Sequence, residues 1–141
     1  MSADTQTAPV SKQGLWAGRI MSGLVIAFLT FDGVFKFVKP APPPVVEAFA
    51  RLGWPLSLAP VLGTILLLCT VLYVIPVTSA LGAILVTGYL GGAVATHFRV
   101  GDPLFTHVLF PTYLGVLLWG GLYLREPRLR ALIPLRTPKV T

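Results

Sequence analysis

Long apolar runs separated by short polar or proline-rich segments dominate this chain. Four runs, at residues 15–37, 56–75, 78–98 and 104–124, are each close to the length of roughly 20 apolar residues that a helix needs to cross a bilayer. Together they occupy most of the 141 residues and leave no room for a separate soluble domain. The pattern therefore predicts an all-α fold, a bundle of four transmembrane helices.

The segment between the first and second runs predicts a further, shorter helix. Residues 39–44 read KPAPPP, and their four prolines end the first span because proline removes a backbone donor and fixes φ. The following VVEAFARLGW places Val45, Val46, Phe49 and Leu52 on one side of a helix. Glu47 and Arg51 lie elsewhere on it, at the spacing of an i,i+4 ion pair. We expect a short interfacial amphipathic helix between helices 1 and 2.

Composition agrees with a membrane protein and limits the classes of partner. Hydrophobic residues make up 55% of the chain, charged residues 11%, and the mean hydropathy is +0.80. The net charge of +6 does not indicate nucleic-acid binding, because five of the eleven basic residues lie in the C-terminal tail when Arg125 at its start is counted. Membrane lipids with anionic headgroups are the expected partner of that tail. Cys69 is the single cysteine, so neither an internal disulfide nor a dithiol redox pair is predicted.

The distribution of Lys and Arg predicts the orientation. With four spans both termini share one side, which carries Lys12, Arg19 and five tail residues, seven in all. The opposite side carries four basic residues. By the positive-inside rule we expect both termini to be cytoplasmic, in a bacterial inner membrane. The predicted organisation is a disordered N-terminus over residues 1–13, a transmembrane domain over 14–125 and a basic tail over 126–141.

Ionisable side chains between the spans gather at the side opposite the termini, which we call the polar mouth. The candidates for a ligand-binding or polar cluster there are Asp32, Lys36, His97, Arg99, Asp102 and His107. Ionisable residues at membrane depth are costly and often mark a site, so we predict that Asp32, Lys36, His97 and Arg99 converge with Lys36 at the centre. Asp32 and Lys36 are spaced for a structural ion pair, but the same residues could clamp a polar headgroup.

Metal binding and catalysis receive no support from these residues. His97 and His107 lie ten positions apart with a turn between them, which is no recognised ligand spacing, so no metal site is predicted. A nucleophile with an adjacent base, a redox dithiol and a cofactor motif are all missing from the sequence. Autonomous enzymatic activity is therefore not predicted, and the catalytic residues, if any, stay unknown.

Small residues on the third span predict close helix packing. Gly88, Gly92 and Thr96 follow one another at four-residue spacing, and Gly14, Gly18 and Ser22 repeat the pattern on the first span. Such faces let helix backbones approach in lipid, either inside one bundle or between copies of the chain. With packing inside the bundle as the first interpretation, we expect Gly92→Leu to destabilise the protein more than Gly121→Leu.

Several segments together resemble the DoxX-like family of small four-helix membrane proteins. They are FDGVFKF at the end of the first span, LGAILVTGYLGGAVATHFRVGDPLF across the third, and LFPTYLGVLLWGGLYLREPRLRALIP across the fourth. The resemblance covers residues 15–136 and implies the four-helix fold. The family takes its name from a subunit associated with a thiosulfate:quinone oxidoreductase, and related proteins include maturation and assembly factors.

Two functions are compatible with that resemblance. In the first, the protein is a non-catalytic accessory or assembly subunit that docks a partner membrane protein or another copy of itself. In the second, the polar mouth binds a small amphipathic molecule such as a quinone, as the membrane subunit of a redox system. The headgroup would then meet Lys36, His97 and Arg99 while the tail enters between apolar helices. No resident cofactor is evident, and a quinone is the possible one.

Overall fold

Six α-helices form the protein in a computed structural model, which describes residues 9–133. Four of them belong to segments long and apolar enough to cross a membrane, and no β-strand occurs within the described range. The helices are α1 (Lys12–Phe35), α2 (Pro43–Leu52), α3 (Ala59–Val74), α4 (Ser79–Arg99), α5 (Phe110–Arg125) and α6 (Pro127–Leu132). A 3₁₀ turn at Leu56–Leu58 precedes α3, and a π-helical turn at Leu104–Val108 precedes α5. The predicted all-α four-span bundle is confirmed.

The four long helices are arranged in a ring in which each contacts two neighbours. α1 packs against α5 and α3, and α4 packs against α3 and α5. Close approaches fix the direction of the helices, because the start of α1 meets the end of α5 at Gly18 and Gly121. We call this end, where α1 begins, α3 ends, α4 begins and α5 ends, the terminal end. The polar mouth lies at the other end of the same bundle.

Apolar side chains cover both the inside and the outside of the ring. Val25, Leu66, Val86 and Leu118 are fully buried and form part of one core shared by all four long helices. Many large apolar side chains instead point outward, including Trp16, Leu24, Leu68 and Val116, each more than half exposed. An apolar exterior of this extent is stable in lipid rather than in water. The structure thus accounts for the high hydropathy of the chain as a membrane-facing surface.

The short helix α2 packs on the polar mouth as predicted. Its N-terminus begins at proline, and Gly53 ends it with a left-handed φ of 70° that favours glycine. Val45 and Phe49 are buried against Ala59 at the start of α3, with Phe35 beside them. One expected detail is wrong: Arg51 forms its ion pair with Asp102 rather than with Glu47.

The closest helix contacts are made by glycines other than the pair singled out from the sequence. A Cβ on Gly82 would lie 2.2 Å from the Tyr73 nitrogen, and one on Gly121 would lie 2.5 Å from Ser22 Oγ. A Cβ on Gly88 or Gly92 would meet no atom within 4 Å. The prediction that Gly88, Gly92 and Thr96 pack inside the bundle is therefore wrong, because this face of α4 points outward. The expected order of Gly92→Leu and Gly121→Leu is reversed for the same reason.

The small-residue face predicted on the first span and the predicted terminal segments can each be compared with the structure. Gly18 and Ser22 are buried against α5, which confirms close packing by part of that face. α1 begins at Lys12 with Ser11 as its N-cap, earlier than the span boundary predicted from hydropathy. The first part of the basic tail forms α6. Residues 1–8 of the predicted disordered N-terminus and residues 134–141 of the tail lie outside the described range.

Candidate functional site

Asp32 and Lys36 form an ion pair at the mouth end of α1. Asp32 lies in the last turn of the helix, and Lys36 is its C-cap residue. The ammonium group donates to the Asp32 carboxylate and, at 3.2 Å, to the Asp32 backbone oxygen. The Lys36 side chain is 12% exposed and the Asp32 side chain 40% exposed. Both acceptors belong to one residue a single turn away, so the pair is a local feature of α1.

A second group at the polar mouth is built around Asp102, in the loop after α4. Its carboxylate Oδ2 lies 2.5 Å from His97 Nδ1 and 3.4 Å from Arg51 Nη2. The His97 hydrogen bond lowers the pKa of Asp102, and the positive charge of Arg51 acts in the same direction. An ionised carboxylate only accepts hydrogen bonds, so Nδ1 of His97 carries the proton in this contact. Asp102 therefore joins the end of α4 to the end of α2.

Arg99 and His107 complete the polar mouth with contacts of their own. Arg99 Nη2 donates to the Leu52 backbone oxygen at 2.5 Å and thereby satisfies one of the free carbonyls at the end of α2. His107 lies in the π-helical turn, with Nδ1 2.8 Å from Thr106 Oγ1. Its ring centroid is 6.1 Å from that of His97. Arg99 and Arg51 together hold α2 on the bundle.

The six candidates thus form separate groups rather than one cluster. Within residues 9–133, no hydrogen bond or ion pair joins Asp32 and Lys36 to the Asp102 group or to Arg99. The prediction that Lys36 is the centre of a single cluster is therefore wrong. No three His, Cys, Asp or Glu side chains in the same range are placed to hold a metal ion. The polar side chains of the mouth instead contact other groups of the same chain.

The terminal end contains a buried polar network that the sequence did not reveal. The Tyr73 hydroxyl, on a fully buried side chain, donates to the Leu118 backbone oxygen at 2.8 Å and lies 3.0 Å from Ser22 Oγ. Arg125 Nε donates to the same Ser22 oxygen at 3.0 Å, and its guanidinium lies over the Tyr73 ring at 5.2 Å. Three helices, α1, α3 and α5, are joined by these contacts. The only sequence signal was that Tyr73 and Arg125 each stand near the end of an apolar span.

An apolar groove runs along the outside of the bundle between α4 and α5. Its volume is about 350 Å³, and almost all of its wall is carbon. Trp119 forms one edge and donates from Nε1 to Thr87 Oγ1 at 2.8 Å. The other lining residues are Leu90, Gly91, Val94, Pro111, Thr112, Gly115 and Val116. The groove lies beside the outward face of α4 that carries Gly88 and Gly92.

Comparison with known proteins identifies the chain at the level of a family. The sequence matches the model of the DoxX-like family over residues 20–121, a range that includes α1 from its middle to its end, all of α2, α3 and α4, and most of α5. No curated protein and no solved structure matches the chain. The matched range contains Asp32, Lys36, the Asp102 group and the outward glycines of α4, whereas Arg125 follows it. The chain belongs to the DoxX-like family.

Proposed function

We propose that this DoxX-like protein is a non-catalytic accessory or assembly subunit whose α4 packs against a transmembrane helix of a partner. The observation that supports the proposal is the outward glycine face of α4. Gly88, Gly91 and Gly92 are exposed, and a Cβ on any of them would meet nothing within 4 Å. Glycine in a helix interior costs about 1 kcal/mol relative to alanine, yet none of the three makes a close contact with another part of residues 9–133.

The groove beside this face suits a helix as its occupant. Close approach to α4 at Gly88 and Gly92 would bring the partner's side chains to the groove lined by Gly91 and Gly115. Because the groove wall is almost entirely apolar, it favours contact with aliphatic or aromatic side chains. Packing of this kind supplies association in lipid, where water does not drive apolar surfaces together.

The contacts of the polar mouth also favour a structural over a ligand-binding role there. Lys36, His97 and Arg99, the three residues predicted to meet a headgroup, each have a protein acceptor. These acceptors account for the orientation of the three side chains without a ligand.

The experiment compares assembly size in mild detergent for wild type and the double variant Gly88→Leu/Gly92→Leu. We expect wild type extracted from its native membrane to migrate on native gels as a complex larger than the monomer. The double variant should migrate as the monomer, with the melting temperature of the purified bundle unchanged. Gly23→Leu on α1 is the matched control, because Gly23 is also exposed and without a neighbour within 4 Å. An unchanged complex in the double variant contradicts the proposal.

A second candidate function is binding of a small amphipathic molecule such as a quinone. The volume of the α4–α5 groove, about 350 Å³, lies within the range of roughly 300–1,000 Å³ typical of small-ligand sites. Its apolar wall suits a hydrocarbon tail better than a polar head. Organic extraction of the purified protein tests this function, since a stoichiometric quinone lost in Gly115→Leu would support it over docking.

We further infer that both termini face the cytoplasm, as the seven-to-four distribution of basic residues indicates. Cysteine labelling in a Cys69→Ala background tests the orientation. A thiol introduced by Pro103→Cys should react with an impermeant maleimide in intact cells, and one introduced by Thr137→Cys should not. The opposite pattern contradicts the assignment.

A further inference from the structure

Two arginines at the terminal end hold buried hydrogen-bond donors without acceptors. Among residues 9–133, the buried side-chain nitrogen and oxygen atoms that lack a partner are Arg125 Nη2 and Arg130 Nε. Buried polar atoms in folded proteins are nearly always paired, and a charged donor is the most costly to leave unpaired. Both exceptions belong to guanidinium groups at one end of the bundle, which points to an acceptor of negative charge.

Arg125 is held in place but not neutralised by its neighbours. Its Nε donates to Ser22 Oγ at 3.0 Å, and the guanidinium plane lies over the Tyr73 ring. A hydroxyl and an aromatic face orient the cation without cancelling its charge. Within residues 9–133, every ion pair is at the polar mouth, and none includes Arg125. The fork formed by Nη1 and Nη2 is thus positioned with its charge uncompensated.

Arg130 is brought toward the same end by the fold of α6. The Glu126 carboxylate accepts a hydrogen bond from the Arg128 backbone N–H at 3.2 Å and so caps the start of the helix. Leu129 is buried in the bundle core, which draws α6 against α5. Leu132 and Ile133 at its end are 80% and 52% exposed. An exposed apolar end beside a basic turn suits the boundary between acyl chains and headgroups.

We propose that Arg125, with Arg130 as a second donor, binds one phosphate group at the terminal end of the bundle. Guanidinium groups donate paired N–H bonds that match phosphate oxygens, and such charge-assisted bonds are among the strongest in proteins. Arg125 closes the membrane-spanning segment Leu104–Arg125, which puts it at the level of the headgroups. The phosphate belongs either to a phosphodiester of a lipid or to a free phosphate ion, and both offer the same acceptor oxygens.

Partial exposure of Arg125 gives the ligand access. The side chain is neither fully buried nor fully exposed, although Nη2 itself is covered. A phosphate oxygen approaches the guanidinium from its exposed side, and a small shift of the whole planar group brings Nη2 to it. Phosphate binding then supplies acceptors to both orphaned donors.

The test uses the full chain, purified in detergent and freed of bound phospholipid. Native mass spectrometry measures binding of phosphatidylglycerol and of diacylglycerol with the same acyl chains but no phosphate. Thermal unfolding in increasing inorganic phosphate, against chloride at equal ionic strength, measures the free ion. The variants are Arg125→Gln and Arg130→Gln, with Arg128→Gln as the matched control because Arg128 is exposed and in the same helix as Arg130.

We expect wild type to prefer phosphatidylglycerol to diacylglycerol, and Arg125→Gln to weaken that binding by about tenfold or more, as loss of a charge-assisted bond implies. Arg128→Gln should bind as wild type does. Stabilisation by inorganic phosphate that Arg125→Gln removes would instead assign the site to the free ion. If Arg125→Gln does not fold, Arg130→Gln carries the comparison, with a smaller expected loss. Equal effects of Arg130→Gln and Arg128→Gln, or no preference for either phosphate source in wild type, would overturn the proposal.

Discussion

The two ends of the bundle differ in which helices their polar residues join. At the terminal end, Ser22 contacts Tyr73, 51 positions away in sequence, and Arg125, 103 positions away. At the polar mouth, Asp32 pairs with Lys36 and His97 with Asp102 over four and five positions, and the long-range contacts of Arg51 and Arg99 join only the short helix α2 to the end of α4. The mouth has more ionisable groups, but the terminal end joins more of the fold.

The number of charged groups at one end of the bundle therefore does not indicate how much that end contributes to helix packing. A local pair such as Asp32 and Lys36 adds little to the packing of one helix on another. The hydroxyl of Tyr73 bridges α1, α3 and α5, so its loss affects three helices at once. Substitutions of uncharged residues should therefore lower the free energy of unfolding more at the terminal end than at the mouth. The following predictions test that contrast.

The largest effect is expected from Gly82→Ala at the terminal end. The new methyl carbon would lie 2.2 Å from the Tyr73 nitrogen and 2.5 Å from its Cα, so the backbones of α3 and α4 must separate. We expect a loss of about 3 kcal/mol in the free energy of unfolding, measured by denaturation in detergent micelles. Gly92→Ala on the same helix is the control. It should not lower the free energy of unfolding, because the new methyl group meets no other atom and alanine favours the helix by about 1 kcal/mol. Equal destabilisation by both variants would show that Gly82 is not a special close contact between α3 and α4.

The next effect is expected from Tyr73→Phe, which removes only the hydroxyl oxygen. The Leu118 carbonyl loses a donor, and Ser22 keeps Arg125 as its partner. We expect a loss of about 1–3 kcal/mol, because two buried hydrogen bonds are lost and the Ser22 hydroxyl is left without its acceptor. Tyr113→Phe is the matched control at the mouth end, where the hydroxyl donates to the Phe105 oxygen on the exposed surface. That control should lose less than half as much, and the reverse order would break the contrast.

A smaller effect is expected at the Asp32–Lys36 pair. Lys36→Met should lower the free energy of unfolding by about 1 kcal/mol, because the Asp32 side chain is partly exposed and water replaces some of the lost contact. The double variant Asp32→Asn/Lys36→Met should recover much of that loss. A thermodynamic cycle over the four proteins measures the coupling. A coupling larger than the cost of Tyr73→Phe would place the main polar contribution at the mouth.

The smallest effect concerns the acid dependence of Asp102. In the folded protein the hydrogen bond from His97, together with Arg51, holds the pKa of Asp102 below its ordinary value of 3.8. The ionised form therefore stabilises the fold. The contribution is complete above the unfolded pKa and is lost as the pH falls through the lower folded pKa. The difference in melting temperature between wild type and Asp102→Asn should therefore be constant above about pH 5 and shrink as the pH falls below about 4. A difference that is constant with pH would exclude a role for the Asp102 charge.

The contrast also explains which features could be predicted from sequence. The spans follow from hydropathy, α2 from its prolines and one-sided apolar pattern, and the Asp32–Lys36 pair from spacing along one helix. The contact of Ser22 with Arg125 could not be predicted, because it depends on which helices become neighbours in the ring. The prediction that the α4 glycines face the bundle was wrong for the same reason. Spacing shows that they share one face of the helix but not the direction in which that face points.

The close approach of α1 and α5 brings the start of the first membrane-spanning helix next to the end of the last one. The Cβ position of Gly18 lies 2.9 Å from the Leu124 Cβ, and the short turn between α3 and α4 emerges at the same end of the bundle. Joining the original ends through a linker and opening the chain in that turn would give a circular permutant with α4 first and α3 last. The permutant keeps four spans and puts its new ends at the terminal end, so a reporter fused there lies on the same side of the bilayer as one fused to the original ends.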